Sequence, residues 1–214
     1  MTPLVSTLAS VIIAYLLGSL PFGYLVTWVA RKIDLRGVGS GHTGGTNVLR
    51  AAGAIPAAIT IVFDFCKGHF SVRIAEAMAP GLAWVAALAA LAAVVGHVWS
   101  IFLAFKGGVG TMTTGGGAVA LMPGGALASI AVSIVGVLIR RMSSVGSLLF
   151  ALLLPVGCLI GALLGYWPFV YLIFAIGSSA IAIWSLRANI QRLRDGTERR
   201  IGEQIPKGAD DIKR

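Results

Sequence analysis

The chain has 214 residues, 57% of them hydrophobic and only 12% charged, with a mean hydropathy of +0.89. Soluble domains carry about 25% charged residues, so an ordinary soluble domain is excluded. The net charge of +9, from 17 Lys and Arg against 8 Asp and Glu, is read as basic loops that set membrane topology rather than as a nucleic-acid footprint.

The charged residues leave gaps of 29, 33 and 45 residues: Glu76 to Lys106, Lys106 to Arg140, and Arg141 to Arg187. A helix needs about 20 apolar residues to cross a bilayer. The runs are continuous rather than alternating, which excludes a β-barrel. The expected fold is an all-α polytopic membrane protein. The first predicted crossing covers residues 4–30; it lacks a basic leader and is too long for a cleavable signal. Arg31, Lys32, Arg36 and Arg50 follow it, while the N-terminus carries no charged side chain. The positive-inside rule then puts the N-terminus outside and residues 31–50 in the cytoplasm. A second crossing is expected at 53–78, a turn at Pro80-Gly81, and a third crossing at 82–105 that ends in a cytoplasmic loop at Lys106.

Residues 111–139 decide the topology. As one crossing they would place Arg140, Arg141 and the Arg-rich tail outside, against the charge bias. Pro123-Gly124-Gly125 breaks the stretch into two short helices, about 111–122 and 125–139. The first is too short to span and must be buried in protein or line a cavity. Crossings near 144–164 and 168–186 bring the tail inside. The total is seven transmembrane helices, N-terminus outside and C-terminus cytoplasmic, with six as the alternative. Residues 1–186 form a single membrane domain and 187–214 a basic cytoplasmic tail.

Two segments are unlike lipid-facing helix. Residues 37–50 read GVGSGHTGGTNVLR. Gly39, Gly41 and Gly44 permit close backbone approach to a ligand. Ser40, Thr46 and Asn47 add hydrogen-bonding groups, and Arg50 adds a bidentate donor suited to phosphate. Such a loop binds an anion through its backbone amides, or is a flexible connection with a topogenic Arg. Residues 105–117 read FKGGVGTMTTGGG, with Lys106, Gly107, Gly108 and Gly110. The spacing of a nucleotide-binding phosphate loop is absent. Two basic, glycine-rich loops on one face point to phosphate.

Asp64 and Lys67 are spaced i, i+3 inside the second crossing and either pair structurally or face a cavity. His97 is read as a packing residue. His42, His69 and His97 are too scattered for a metal set. Cys66 and Cys158 form no metal or disulfide pattern, and no GxSxG nucleophile elbow occurs.

Five ordered motifs then carry a resemblance over nearly the whole chain: GSLPFGY at 18–24, GSGHTGGTNVLR at 39–50, DFCKG at 64–68, GHVWSIFLAFKGGVG at 96–110 and NIQRLRDGTE at 189–198. Through them the chain resembles the bacterial acyl-phosphate:glycerol-3-phosphate acyltransferases, the PlsY family. The resemblance implies seven transmembrane helices in the bacterial cytoplasmic membrane, with the active site facing the cytoplasm. It implies transfer of a fatty acyl group from acyl phosphate to the 1-hydroxyl of glycerol 3-phosphate. Lysophosphatidate and phosphate are the products, and no nucleotide, metal or acyl-carrier protein is needed. Carried over by position, Ser40, Arg50 and Asn189 are the implied catalytic residues. Lys106 and Ser147 join the loop residues as implied phosphate contacts. Glu198 is implied to support the fold, alongside Asp64, Lys67 and His97.

Three positions depart from the family pattern. His42 stands where the family has Asn, Val109 where it has a second Lys, and Leu186 where it has His. A charge-assisted hydrogen bond is worth about 1.5–3 kcal/mol, so two uncompensated losses would lower catalytic efficiency by roughly two to four orders of magnitude. His42, Arg140 and Arg141 are the candidates to compensate. The second reading is a divergent paralogue that binds acyl phosphate or phospholipid without turnover. A small transporter is disfavoured because no inverted repeat is visible.

Overall fold

The computed structural model describes residues 3–203, and every regular element among them is helical. The end of the basic tail, from residue 204 onward, lies outside the described residues. The first predicted crossing is two helices, α1 (Pro3–Ser19) and α2 (Phe22–Arg31). Pro21 lacks an N–H and interrupts the ladder between them. The break frees carbonyls inside the bundle, where no water can satisfy them. Lys67 Nζ donates to the Leu20 carbonyl (3.1 Å) and Ser100 Oγ to the Ser19 carbonyl (2.6 Å).

A short helix, α3 (Gly45–Ala52), follows the first glycine-rich loop; the expectation of an open loop through Arg50 missed it. Then come α4 (Ala54–Met78) and α5 (Ala83–Val98). The third predicted crossing therefore stays α-helical only as far as Val98; Ala104 and Phe105 take left-handed backbone just before Lys106. The stretch 111–139 is broken at Met122–Pro123 as expected, into α6 (Thr111–Leu121) and α7 (Pro123–Arg140). The last helices among the described residues are α8 (Ser143–Leu163), α9 (Tyr171–Ser185) and α10 (Arg187–Arg194).

Among the described residues, five stretches are long and apolar enough to cross a membrane: Leu4–Arg31, Ala54–Met78, Ala83–Leu103, Pro123–Arg140 and Ser143–Leu163. The pair Tyr171–Ser185 and Arg187–Arg194, bent by 59°, makes a sixth if it is one span. The 11 residues of α6 cover only about 16 Å at 1.5 Å per residue, roughly half the hydrocarbon thickness. Eight of those residues are buried, so the short helix sits inside protein. Its closeness to α4 depends on glycine. A Cβ on Gly68 would collide with the Thr113 carbonyl, and one on Gly116 with the Phe65 carbonyl. Small residues allow such backbone contact between helices in lipid.

Val72, Val94, Leu121, Met122, Leu154 and Phe174 form the main core between α4, α5, α6, α8 and α9. An alanine-rich seam joins α1, α4 and α5 through Ala14, Ala75 and Ala89. Asp64 and Lys67 pair at 2.9 Å with both side chains 2% exposed. The outer surface is aliphatic, as at Ile55, Leu138, Ile139 and Leu163, which suits contact with lipid.

Candidate functional site

The loop before α3 is held by one side chain. Asn47 Nδ2 donates to the carbonyls of Val38 and His42, each at 2.9 Å, and its Oδ1 accepts from the Ser40 amide at 3.3 Å. Its polar capacity is thus engaged in folding the loop over the start of α3. The Thr43 amide donates to the Gly107 carbonyl (3.3 Å), which joins the two glycine-rich loops. The Gly108 amide donates to the His97 carbonyl (3.1 Å). Gly108 lies against the His97 imidazole, where a Cβ would clash.

These contacts surround a cavity of about 130 Å³. Three helices begin on its wall: α3 at Gly44–Asn47, α6 at Gly110–Met112, and α8 at Ser143–Ser147. Gly110 caps α6 with φ +94°, a conformation that favours glycine. Each helix start presents free N–H groups and about half a positive charge. Arg50 adds a full charge from the last turn of α3. Its Nε is buried without a hydrogen-bond partner among the described residues. Burial and the nearby Arg199 and Arg192 hold its pKa below the ordinary value, against the pull of Glu198 and Glu203. It still stays protonated. Arg50 and the three helix starts thus bring positive charge to one wall of the cavity.

The facing wall comes from the C-terminal segment. Glu198 accepts from Asn189 Nδ2 (2.7 Å), Ser144 Oγ (2.8 Å) and Arg192 Nε (2.8 Å). Burial raises its pKa, but these three donors and the Arg192 charge outweigh it and hold the carboxyl below its ordinary value. This clasp ties α10 and the residues after it to the first turn of α8. Thr111 Oγ1 and Ser147 Oγ pair at 3.0 Å across the cavity rim. Asp64 and His97 reach the cavity from α4 and α5, with His97 Nδ1 3.6 Å from Asp64 Oδ1.

A second cavity of about 340 Å³ adjoins the first. Arg36, Lys106 and Arg187 supply its cations, with Trp99, Trp184, Gly107 and Gly108 beside them. The Arg187 guanidinium lies 4.1 Å from the Trp184 ring centre. Ser40 and His42 line both cavities.

Of the residues expected from sequence, Ser40, Gly44, Thr46, Asn47, Arg50, Gly110, Ser147 and Asn189 line the first cavity, with Asp64, His97 and Glu198. Gly41, Lys106, Gly107 and Gly108 line the second. Gly39 lines neither and turns the loop at φ +60°. Lys67 also lines neither and is held by Asp64. Thr111, Ser143, Ser144 and Arg192 were not anticipated. For the two serines a signal existed: Ser143-Ser144 directly precedes an apolar run, the pattern of a helix start.

The family model described as "Glycerol-3-phosphate acyltransferase" matches residues 8–196. The chain belongs to the glycerol-3-phosphate acyltransferase family. It is 38% identical to the glycerol-3-phosphate acyltransferase of Shouchella clausii (strain KSM-K16), over 94% of this chain and 98% of that one. It is 40% identical to that of Bordetella pertussis (strain Tohama I), over 94% of both chains. It superposes on a crystal structure of PlsY, an integral membrane glycerol 3-phosphate acyltransferase, in its glycerol 3-phosphate form. The TM-score is 0.83 at 38% identity, with 92% of this chain and 96% of that one covered. The lysophosphatidic acid form gives 0.80 at 37% identity, over 92% and 96%. Within this glycerol-3-phosphate acyltransferase family member, the three departures gather in one place: His42, Val109 and Leu186 all line the first cavity.

Proposed function

We propose that this protein transfers a fatty acyl group from acyl phosphate to the 1-hydroxyl of glycerol 3-phosphate, releasing lysophosphatidate and inorganic phosphate for phospholipid synthesis. The observation that carries this reading is the convergence of three helix N-termini and Arg50 on one small cavity. That arrangement suits a phosphate group. The family membership, and the glycerol 3-phosphate and lysophosphatidic acid forms of the similar structures, support the acceptor and the product. Two adjoining cation-lined cavities suit two phosphate-bearing substrates.

An acyl phosphate is a mixed anhydride and already activated, so no enzyme nucleophile or cofactor is called for. Juxtaposition of two bound reactants can supply about 7–11 kcal/mol of barrier reduction in well-oriented systems. Arg50 and the helix starts, with Gly44, Thr46, Gly110 and Ser147, hold phosphate and stabilise developing negative charge. Lys106 does the same in the second cavity, where Gly107 and Gly108 form part of the wall. Ser40 and Asn189 orient the substrates from opposite walls. Asp64, Lys67, His97 and Glu198 keep those walls in place.

In the membrane, this reading takes α6 as the seventh crossing, supported by protein rather than lipid. The N-terminus is then outside and the tail is cytoplasmic, so both cavities face the cytoplasm. The charge bias of Arg31, Lys32, Arg140, Arg141 and the tail supports this orientation.

Purified protein in detergent, given palmitoyl phosphate and glycerol 3-phosphate, is expected to release phosphate and form lysophosphatidate in equal amounts. Phosphate release no faster than without acceptor would overturn the reading. Acylation from a thioester but not from palmitoyl phosphate would overturn the donor alone.

A further inference from the structure

We infer that His42 carries the transferred proton between the two substrates, as general base toward the acceptor hydroxyl and general acid toward the departing phosphate. This inference rests on the acyl-phosphate reading above.

The reaction has a proton to move. The acceptor oxygen forms a bond to the acyl carbon, and its proton must leave. The bond from the acyl carbon to the phosphate oxygen breaks, with its electron pair going to phosphate. A phosphate expelled without a proton is a poor leaving group, so a proton is needed there. The same proton serves both ends, and no further reactant is required.

The position of His42 matches that task. Only Ser40 and His42, among the described residues, line both cavities. Ser40 is a weak base, whereas an imidazole exchanges protons near neutral pH. His42 is fixed by its backbone: its carbonyl accepts from Asn47 Nδ2 (2.9 Å) and its amide donates to Ser40 Oγ (3.4 Å). Neither ring nitrogen has a protein hydrogen-bond partner among the described residues, so both are free for substrate.

The surroundings favour the neutral ring. Burial lowers the His42 pKa below 6.5, and His97 on α5 with Arg192 and Arg187 on α10 lowers it further. Asp64 on α4, Arg50 on α3 and Glu198 of the tail line the first cavity with it. Arg36 and Lys106 line the second. A neutral imidazole accepts the hydroxyl proton without prior deprotonation. The imidazolium that forms is surrounded mostly by cations, which favours its passing the proton on to phosphate. On the same first-cavity wall, Leu186 cannot perform this step.

The test is steady-state kinetics of the purified full chain with palmitoyl phosphate and glycerol 3-phosphate, from about pH 5 to about pH 8. The wild-type kcat is expected to fall on the acid side with one proton, as His42 is protonated in the complex with both substrates. His42→Asn and His42→Gln keep a hydrogen-bonding amide without basicity. Both are expected to lower kcat by about 100-fold or more, to change either KM by less than about threefold, and to abolish the acid limb. A kcat within about threefold of wild type in either folded variant overturns the proposal. So does a wild-type profile flat through the acid range, which needs no variant to be measured. An inert wild-type protein instead refutes the acyl-phosphate reading itself, and this inference with it.

Discussion

Asp64→Asn is the sharpest single perturbation of the fold. The Asp64–Lys67 pair is 2.9 Å apart and each side chain is 2% exposed. At an effective dielectric of about 20, Coulomb's law gives about 6 kcal/mol of attraction at that distance. Desolvation of the two ions offsets much of it, so the pair is a weak net stabiliser as built. Its removal is not symmetric. A neutral amide in place of the carboxylate would leave the Lys67 ammonium buried with the Leu20 carbonyl as its remaining close acceptor. Breaking one side of a buried pair costs about 3–5 kcal/mol. The double change Asp64→Leu with Lys67→Met removes both charges at similar volume and is expected within about 1–2 kcal/mol of wild type. Reversible unfolding in mixed detergent and dodecyl sulfate micelles, followed through the five tryptophans, reads both. The Leu20 contact adds a local signature, since loss of Lys67 also exposes the break between α1 and α2. Asp64→Asn within about 1 kcal/mol of wild type would show that this pair is not an isolated charge problem, and the reasoning would fail.

Arg50→Ala is expected to raise the glycerol 3-phosphate KM or abolish turnover in a folded protein; Arg50→Lys recovers little, because an ammonium cannot supply the planar fork. Wild-type kinetics in Arg50→Ala would make it a topology signal only. Val109→Lys adds a cation to the first cavity and is expected to raise kcat/KM about tenfold, equal to about 1.4 kcal/mol; no change would show that the helix starts and Arg50 already saturate the anion. Glu198 is held below the ordinary 4.5, so its contribution is complete above that pH and is lost as pH falls through the lower folded value. Trypsin at neutral pH should therefore cut faster at Arg199 and Arg200 in Glu198→Ala than in wild type; equal rates would refute the clasp. For topology, single cysteines at Arg140 and Arg200, with Cys66 and Cys158 replaced, should resist an impermeant maleimide in intact cells; labelling of either from outside would refute the seven-span orientation.

Much of the site was legible before folding because its chemistry is local in sequence. Gly39 through Arg50 and Lys106 through Gly110 announce themselves by composition. The break at Pro123 follows from proline's missing N–H. Other parts had no sequence signal strong enough to act on. Helix α3 is eight residues long and hidden in a glycine-rich stretch that reads as loop. By composition Glu198 looks like one more charge in a solvated tail; the family resemblance implied a supporting role, and docking against Ser144, 54 positions away, supplies the contact. Asn47 looked like a ligand group, yet its amide is engaged by its own loop.

The sequence by itself determined that the chain is a bundle of membrane helices, because three long uncharged runs have no other stable fate in lipid or water. It also pointed to two glycine-rich loops as candidates for phosphate chemistry. Tertiary structure alone decided that those loops meet at Thr43 and Gly107. It likewise decided that the starts of α3, α6 and α8, far apart along the chain, point into one cavity. Helix dipoles and free N–H groups are properties of position rather than of residue type, so their sum at a point cannot be read until the helices are packed. The same holds for His42: its identity is in the sequence, and its place on the wall between two cavities is a consequence of the fold.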